Sequence, residues 1–528
     1  MPTLHWIGKD KVINHHMDVP FKVLEHAYGF DNGTQTDQET NSGNEIIHGD
    51  NLEALKSLLP EYEGRVKCIY IDPPYNTGNE SWVYNDNVND PKMKKWLGQV
   101  VGKESEDLSR HDKWLCMMYP RLKLLHKLLA EDGVIFISID DNEAFFLKLV
   151  CDEMFGTNGF KANLIWKSRQ IVDSRNQTMV SKDHEYVLVY GKSTSFKLRG
   201  KFSDKSKYSN PDNDTRGPWM SNSILGLANF DQRPNLHYKI VDPETQIEYD
   251  CPTNTGWRYS RETMAQKIEE KRIFFPKKKD GRPREKKFLN ELSSDFTGFS
   301  TILSEEVGFT LNGTRTVREI VPDAKFAFPK PIELVQTLIE QATNKNSIIL
   351  DSFAGSGTTA HAVLNLNKKD GGNRKFICIE MEDYAETITA ERVKRVIKGY
   401  GTTEGMPIAI GSGFDFYELG QPMFLEDGNL NELVGVGKIR QYVYYTETKT
   451  PLTSSKDNKH FLGKHNDTAY YFHYSPNEVT TLDHAFLATM KTKAEQYVIY
   501  ADNCLLTKDF MTKHNIIFKK IPRDITKF

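Results

Sequence analysis

Val66-Lys67-Cys68-Ile69-Tyr70-Ile71-Asp72-Pro73-Pro74-Tyr75-Asn76 decides how this chain is read. The apolar run predicts a buried strand, and two prolines end it, because they fix their own backbone and bring no N–H to a ladder. An acid at the carboxyl end of a parallel strand sits where open α/β sheets bind ligands. A carboxylate or a carbonyl accepts hydrogen bonds from an exocyclic amine, and a tyrosine ring stacks on a flat base. Asp72, Pro73, Pro74 and Tyr75 therefore suit a clamp for an amino group on a heteroaromatic ring. A turn that ends a buried strand, with Asp72 capping the next segment, explains the same residues about equally well.

A second stretch shifts the balance: Ser347-Ile348-Ile349-Leu350-Asp351-Ser352-Phe353-Ala354-Gly355-Ser356-Gly357-Thr358-Thr359-Ala360. It reads as a strand, a glycine turn and a helix start, with Thr358 and Thr359 available to cap. Glycines let the backbone approach a ligand closely. No Lys-Ser/Thr pair follows Gly357 and the third glycine of a dinucleotide fingerprint is missing, so phosphate binding is the weaker reading. Lys375-Phe376-Ile377-Cys378-Ile379-Glu380 is a further strand ending in an acid, the placement of a carboxylate that holds ribose hydroxyls.

With these residues the chain resembles the amino-group DNA methyltransferases that use S-adenosylmethionine. Asp72-Pro73-Pro74-Tyr75 matches their catalytic tetrapeptide and Phe353-Ala354-Gly355-Ser356-Gly357 their cofactor loop. The catalytic motif comes first, as in the permuted beta class, and Asp at its first position is similar to the adenine-N6 enzymes. Ile47 to Leu55, Tyr75 to Gly78, Gly133 to Asp141, Gly413 to Tyr417 and Phe518 to Pro522 are similar to the modification subunits of type III restriction-modification systems. The resemblance implies a Rossmann-like α/β methyltransferase fold, circularly permuted, with a mixed, mostly parallel sheet. It also implies an inserted target-recognition domain and a smaller C-terminal α+β domain. The implied catalytic residues are Asp72, Pro73, Pro74 and Tyr75. The implied cofactor contacts are Asp50, Asp72, Lys330, Asp351, Phe353, Ala354, Gly355, Ser356, Gly357, Thr358 and Glu380. The implied reaction is methyl transfer to N6 of an adenine flipped out of double-stranded DNA. A homodimer and a helicase-nuclease restriction subunit are the implied partners. Three alternatives stay open: an orphan methylase, a subunit that mainly recruits a nuclease to DNA, and methylation of RNA.

Length and charge bound these readings. The chain has 528 residues and a formal net charge of −3, which favours no nucleic acid, although a whole-chain sum hides local faces. Six cysteines lie far apart with no paired spacing, supporting neither a zinc site nor a disulfide framework and fitting a reducing cytoplasm. No apolar run approaches membrane-spanning length, and no metal is expected. The expected domains are an arm and linker at 1–43, a catalytic half at 44–191, a target-recognition domain at 192–325, a cofactor half at 326–401 and a C-terminal domain at 402–528.

In chain order, Asp50 either caps the helix bearing Leu52, Leu55, Leu58 and Leu59, which Pro60 ends, or lies on the adenine side of the cofactor. Residues 76–112 read as a polar lid with Gly78, Gly98 and Gly102 as hinges and Trp82 and Trp96 as stacking groups. Asp140 and Asp141 are expected to cap the next helix. Leu164 to Trp166 and Glu185 to Tyr190 are expected edge strands. Between Gln266 and Lys287 ten Lys or Arg face four acids. Solvated charge runs are common, but this one lies in the insertion, and Lys277, Lys278, Lys279, Arg282 and Arg284 are taken as DNA phosphate contacts. Pro331 starts a helix that the resemblance places at the methionine end of the cofactor. Tyr442 to Tyr445, Tyr470 to Tyr474 and Tyr497 to Tyr500 read as aromatic strands.

Overall fold

Short apolar segments ending in acids pack side by side in the computed structural model, which describes residues 3–77, 91–101, 109–174, 179–276, 281–400, 413–452 and 459–527. The sheet order is Thr34–Thr36, Lys22–Asp31, Gly413–Pro422, Glu45–His48, Lys375–Glu380, Ile348–Asp351, Val66–Ile71, Leu129–Ile139, His184–Gly191 and Phe160–Lys167. From Gly413–Pro422 to Leu129–Ile139 every neighbouring pair is parallel. The outer pairs are antiparallel. Parallel strands covered on both faces must be apolar nearly throughout, and Ile46, Ile47, Ile69, Ile71, Ile135, Ile137, Ile349, Leu350, Ile377 and Ile379 are all fully buried.

The topology brings the two motifs together. Ile349 pairs with Cys68 and Leu350 with Ile69, so Asp72 and Asp351 leave adjacent strands at the same edge. Lys375–Glu380 pairs with Ile348–Asp351 on its other side, which puts three acids at three consecutive strand ends, each strand about 4.8 Å from the next. The paired strands Phe160–Lys167 and His184–Gly191 form one sheet edge, as expected.

Several local expectations are corrected. The helix Asn51–Tyr62 runs through Pro60, its last turn held by Leu58, Leu59 and the Tyr62 hydroxyl on Glu45 Oε1. Thr358 and Thr359 do not cap their helix, because Gly357 at φ +78° is the cap residue and both hydroxyls turn elsewhere. Asp140 binds the main-chain N–H of Asn142 and Asp141 accepts the Tyr186 hydroxyl, so neither caps Ala144–Phe155. The stretch read as a lid contains the helix Pro91–Val100, whose Leu97 is buried, and a second helix begins at Arg110. Gly78, Trp82, Gly102 and the Trp96 side chain lie outside the described residues.

Tyr442-Val443-Tyr444-Tyr445 is not a strand. It lies in the helix Val436–Thr448, where Ile439, Tyr442 and Val443 form one buried face, so packing overrides the strand propensity of aromatic and β-branched residues. The other two aromatic segments are strands of a four-stranded sheet, ordered Phe461–His465, Thr468–Phe472, Gln496–Ala501 and Ile516–Lys520. Gly413–Pro422, read as part of a separate C-terminal domain, is instead inserted in the main sheet between Lys22–Asp31 and Glu45–His48.

The chain divides into two compact units, Met1–Leu198 with Ser300–Phe528, and Arg199–Phe299. The second unit is narrower than the expected 192–325. It holds a three-stranded sheet of Ile273–Phe274, Arg284–Phe288 and Trp219–Ser223 and a core of Ile224, Tyr238, Ile240, Tyr249, Trp257, Met264 and Ile273. Among the described residues no helix is long and apolar enough to cross a membrane.

Candidate active site

Asp72 follows the strand Val66–Ile71, and Lys330 donates to both of its oxygens at 2.8 Å. Lys330 Nζ also lies 3.4 Å from Glu185 Oε2, 4.8 Å from the Tyr75 ring centroid and 5.7 Å from that of Trp166. The Tyr75 hydroxyl donates to the same Glu185 oxygen at 2.8 Å. Trp114 Nε1 donates to the Pro74 carbonyl at 2.6 Å, tying the proline turn to the helix Arg110–Leu128. Asn76, at φ +56° and buried, donates to Glu143 and to the Arg110 carbonyl. The turn is thus held at its second proline, its tyrosine and its asparagine.

Burial raises the Asp72 carboxyl above the ordinary carboxylate range, and Lys330 pulls it part of the way back. For Lys330 burial works against the charge, but Asp72 and Glu185 outweigh it and hold the ammonium above its ordinary value. Tyr75 is pushed well up, first by burial and then by the two carboxylates, so it stays a phenol.

The glycine turn is built against the neighbouring strand end. Glu380 Oε2 accepts from Gly355 N at 2.7 Å, and its other oxygen accepts from Met381 N and Glu382 N. Asp351 accepts from Phe353 N and the Thr359 hydroxyl. Burial raises both acids, each to about 7, and the Asp72 charge adds to the shift at Asp351. Gly355 at φ +53° and Gly357 at φ +78° are left-handed, and a Cβ on Gly355 would meet Phe326 Cζ at 3.1 Å. Phe353 is half-buried against the main core, and Ala354 is buried with its N–H on the Ile379 carbonyl.

Behind the turn, Arg392 is fully buried and donates to the Ser356 carbonyl, the Ser356 hydroxyl and the Thr358 hydroxyl; burial brings it down to about 10. Asn51 donates to the Ser352 carbonyl and accepts from Arg121 Nε at 2.6 Å. The Ser352 hydroxyl is buried with no partner among the described residues.

Of the expected site residues, the sheet brings together Asp72, Pro73, Pro74, Tyr75, Lys330, Asp351, the 353–358 turn and Glu380. Asp50 accepts from Leu52 N and Glu53 N and faces Arg121, which is the capping role. Sequence reading missed Glu185, Trp114, Trp166, Asn51, Arg121 and Arg392. A charged residue opening the apolar strand His184–Gly191 was a usable signal for Glu185. So was an arginine beside Val393 and Val396 on the buried face of Glu391–Lys398 for Arg392.

In the second unit, Lys277, Lys278 and Lys279 lie outside the described residues. Arg282 is exposed, and the Arg284 guanidinium is held on Ser221. Part of the basic run is paired internally, Lys267 and Lys287 with Glu285, Lys286 with Asp212 and Asp214, and Arg272 with Glu270 and Glu291.

Asp72 and Glu185 share the Lys330 ammonium, while Asp351 and Glu380 at the two neighbouring strand ends hold the glycine turn, whose left-handed glycines admit close backbone contact. Fold and site together are those of a Rossmann-like methyltransferase. The chain belongs to the DNA methylase family, whose model matches residues 66–391. It is 35% identical over 361 residues to the Mod subunit of the type III restriction-modification enzyme StyLTI of Salmonella typhimurium, covering 64% of this chain and 52% of that one. It is 32% identical over 463 residues to the EcoPI Mod subunit of Escherichia phage P1, covering 78% of this chain and 70% of that one. It is 32% identical over 353 residues to the type II methyltransferase M.KpnI of Klebsiella pneumoniae, covering 63% and 80%. The chain thus spans about half the length of the Salmonella relative.

Proposed function

We propose that the chain transfers a methyl group from S-adenosylmethionine to N6 of an adenine flipped from duplex DNA, as the modification and recognition subunit of a type III system. The adjacency of Asp72 and Tyr75 to the glycine turn and its two acids carries this reading. The residues fit the cofactor: the 353–358 turn with Asp351 and Glu380 for its adenosine end, and Lys330, held on Asp72, at the edge of the same site. When bound, it supplies a methyl group on a sulfonium, a good leaving group.

The adenine amino group is a weak nucleophile because its lone pair is delocalised into the ring. Asp72 and the Pro73 carbonyl accept hydrogen bonds from its two N–H groups, favouring a pyramidal nitrogen, while Tyr75 stacks on the ring, and the surplus proton of the methylated nitrogen leaves to solvent. A carboxylate has about four lone-pair sites, so Asp72 serves the amino group while still bound to Lys330. Holding donor and acceptor in line does much of the remaining work. Flipping costs a few kcal/mol of stacking and pairing, which phosphate contacts offset. Those contacts are assigned to Lys277, Lys278, Lys279, Arg282 and Arg284. Replacing Arg282 and Arg284 by Ser is expected to lower the salt dependence of DNA binding by about one unit of slope each. A homodimer, a helicase-nuclease partner and a cytoplasmic location belong to the same proposal.

The test is transfer of labelled methyl groups to duplex DNA and mapping of methylated adenines in cells expressing only this chain. Asp72→Ala is expected to abolish transfer and leave DNA affinity within a few-fold. Transfer to RNA alone, or full activity without Asp72, overturns the proposal. Co-purification with a large ATPase separates the type III role from an orphan enzyme.

A further inference from the structure

Lys330 has three N–H donors and three carboxylate oxygens around it. Two donors meet the Asp72 oxygens at 2.8 Å, and Glu185 Oε2 stands at 3.4 Å. The side chains of Lys330, Asp72 and Glu185 are 9%, 19% and 19% exposed, so their charges are weakly screened. Two carboxylates and one ammonium leave one net negative charge in the cluster. With Glu185 neutral, Lys330 would cancel Asp72 outright, and a cancelled carboxylate is a poor acceptor for an amino group that gains positive charge as it is methylated. Glu185 also receives the Tyr75 hydroxyl at 2.8 Å, so one oxygen sets both the ammonium and the ring.

The placement follows from topology. Glu185 stands near the start of His184–Gly191, which runs antiparallel to Leu129–Ile139, so that end lies at the edge where Asp72 emerges. Trp166, on the neighbouring strand and paired with Glu185, has its ring centroid 5.7 Å from Lys330 Nζ and donates its own Nε1–H to the Gly308 carbonyl. Among the described residues, Asp72, Glu185 and the Tyr75 phenol are the titratable groups shown against Lys330.

We propose that Glu185 is a positioning residue of the methyl-transfer site: it shares Lys330 with Asp72 and fixes the Tyr75 hydroxyl, so that Asp72 keeps the charge and lone pairs an adenine amino group requires. This rests on the clamp reading of Asp72 and Tyr75 given above. A structural hydrogen bond to Tyr75 alone would be served equally by an amide, which separates the two roles experimentally.

The test uses the full chain and the variants Glu185→Gln, Glu185→Asp and Tyr75→Phe. Turnover and KM are measured with labelled cofactor on duplex DNA, and the Lys330 ammonium is titrated by NMR of 13C-lysine protein without cofactor. In Glu185→Gln, turnover is expected to fall about tenfold or more and the Lys330 midpoint by about one unit, the scale of losing one charge from a buried cluster. The KM for DNA and the melting temperature should hold, and Glu185→Asp should recover part of the turnover. Tyr75→Phe should leave the Lys330 midpoint in place. Unchanged turnover in Glu185→Gln overturns the proposal, as do equal losses in Glu185→Gln and Tyr75→Phe with an unmoved midpoint. Should the wild-type chain methylate no DNA, the functional reading fails by itself, and a Lys330 midpoint indifferent to Glu185→Gln still overturns the charge-sharing role.

Discussion

Asp72 is pulled two ways: burial, the stronger pull, favours its neutral form, and Lys330 draws it part of the way back toward the charge that the proposed reaction requires. Replacing Lys330 by Met removes the pull toward ionisation, so the acid limb of turnover against pH is expected to move to higher pH; a pH–rate series checks this. Asp351 and Glu380 carry a stability signature. Their folded values, raised to about 7, exceed unfolded values near 4, so the folded chain binds more protons between those limits. Their contribution is fully present below about pH 4 and is lost as pH rises through about 7. Urea unfolding at pH 5 and pH 8 should therefore show a smaller difference in Asp351→Asn than in the wild type. At this scale the acids and glycines were legible because chemistry restricts them to few residue types. For Glu185 and Arg392 the sequence offered only a charge set among apolar neighbours, which marks a buried charge without naming its distant partner.

Elements were legible where one periodicity ruled. Lys375–Glu380, Ile348–Asp351 and Val66–Ile71 are short apolar runs with acids at their ends, which fit buried parallel strands. The helix Val436–Thr448 misled because its tyrosines and valine carry strand propensity, while its spacing of Ile439, Tyr442 and Val443 was the weaker clue. Caps were ambiguous for a related reason, since Asp140, Asp141, Thr358 and Thr359 all find partners beyond their own helix ends. The glycine turn is the element most open to test. Gly355→Val adds a β-branched side chain at φ +53° and against Phe326, and such a residue resists the left-handed region by about 1–2 kcal/mol. Calorimetry should show cofactor affinity reduced about tenfold or more, with Gly355→Ala affected less.

For the whole molecule, the main sheet draws strands from both ends of the chain. Gly413–Pro422 separates Lys22–Asp31 from Glu45–His48 and bonds to each, so this strand belongs to the main sheet and not to a separate C-terminal domain. A chain ending at residue 400 would leave both neighbours with open edges in the body of the sheet. It is expected to lose cooperative unfolding and to aggregate, as circular dichroism and light scattering would show. The Arg199–Phe299 unit has its own apolar core, around Trp257, so Trp257→Ala is expected to cost about 3–5 kcal/mol within that unit.

The amino-acid sequence by itself determined the strand-end acids, the proline and glycine turns and the family they belong to, because these depend on local backbone freedom and on residue chemistry. The tertiary structure alone decided that Lys330 and Glu185 meet at Asp72, that Arg392 backs the glycine turn, and that Gly413–Pro422 completes the sheet. Each of those contacts joins residues far apart in the chain, and only packing determines which distant side chains share a buried charge.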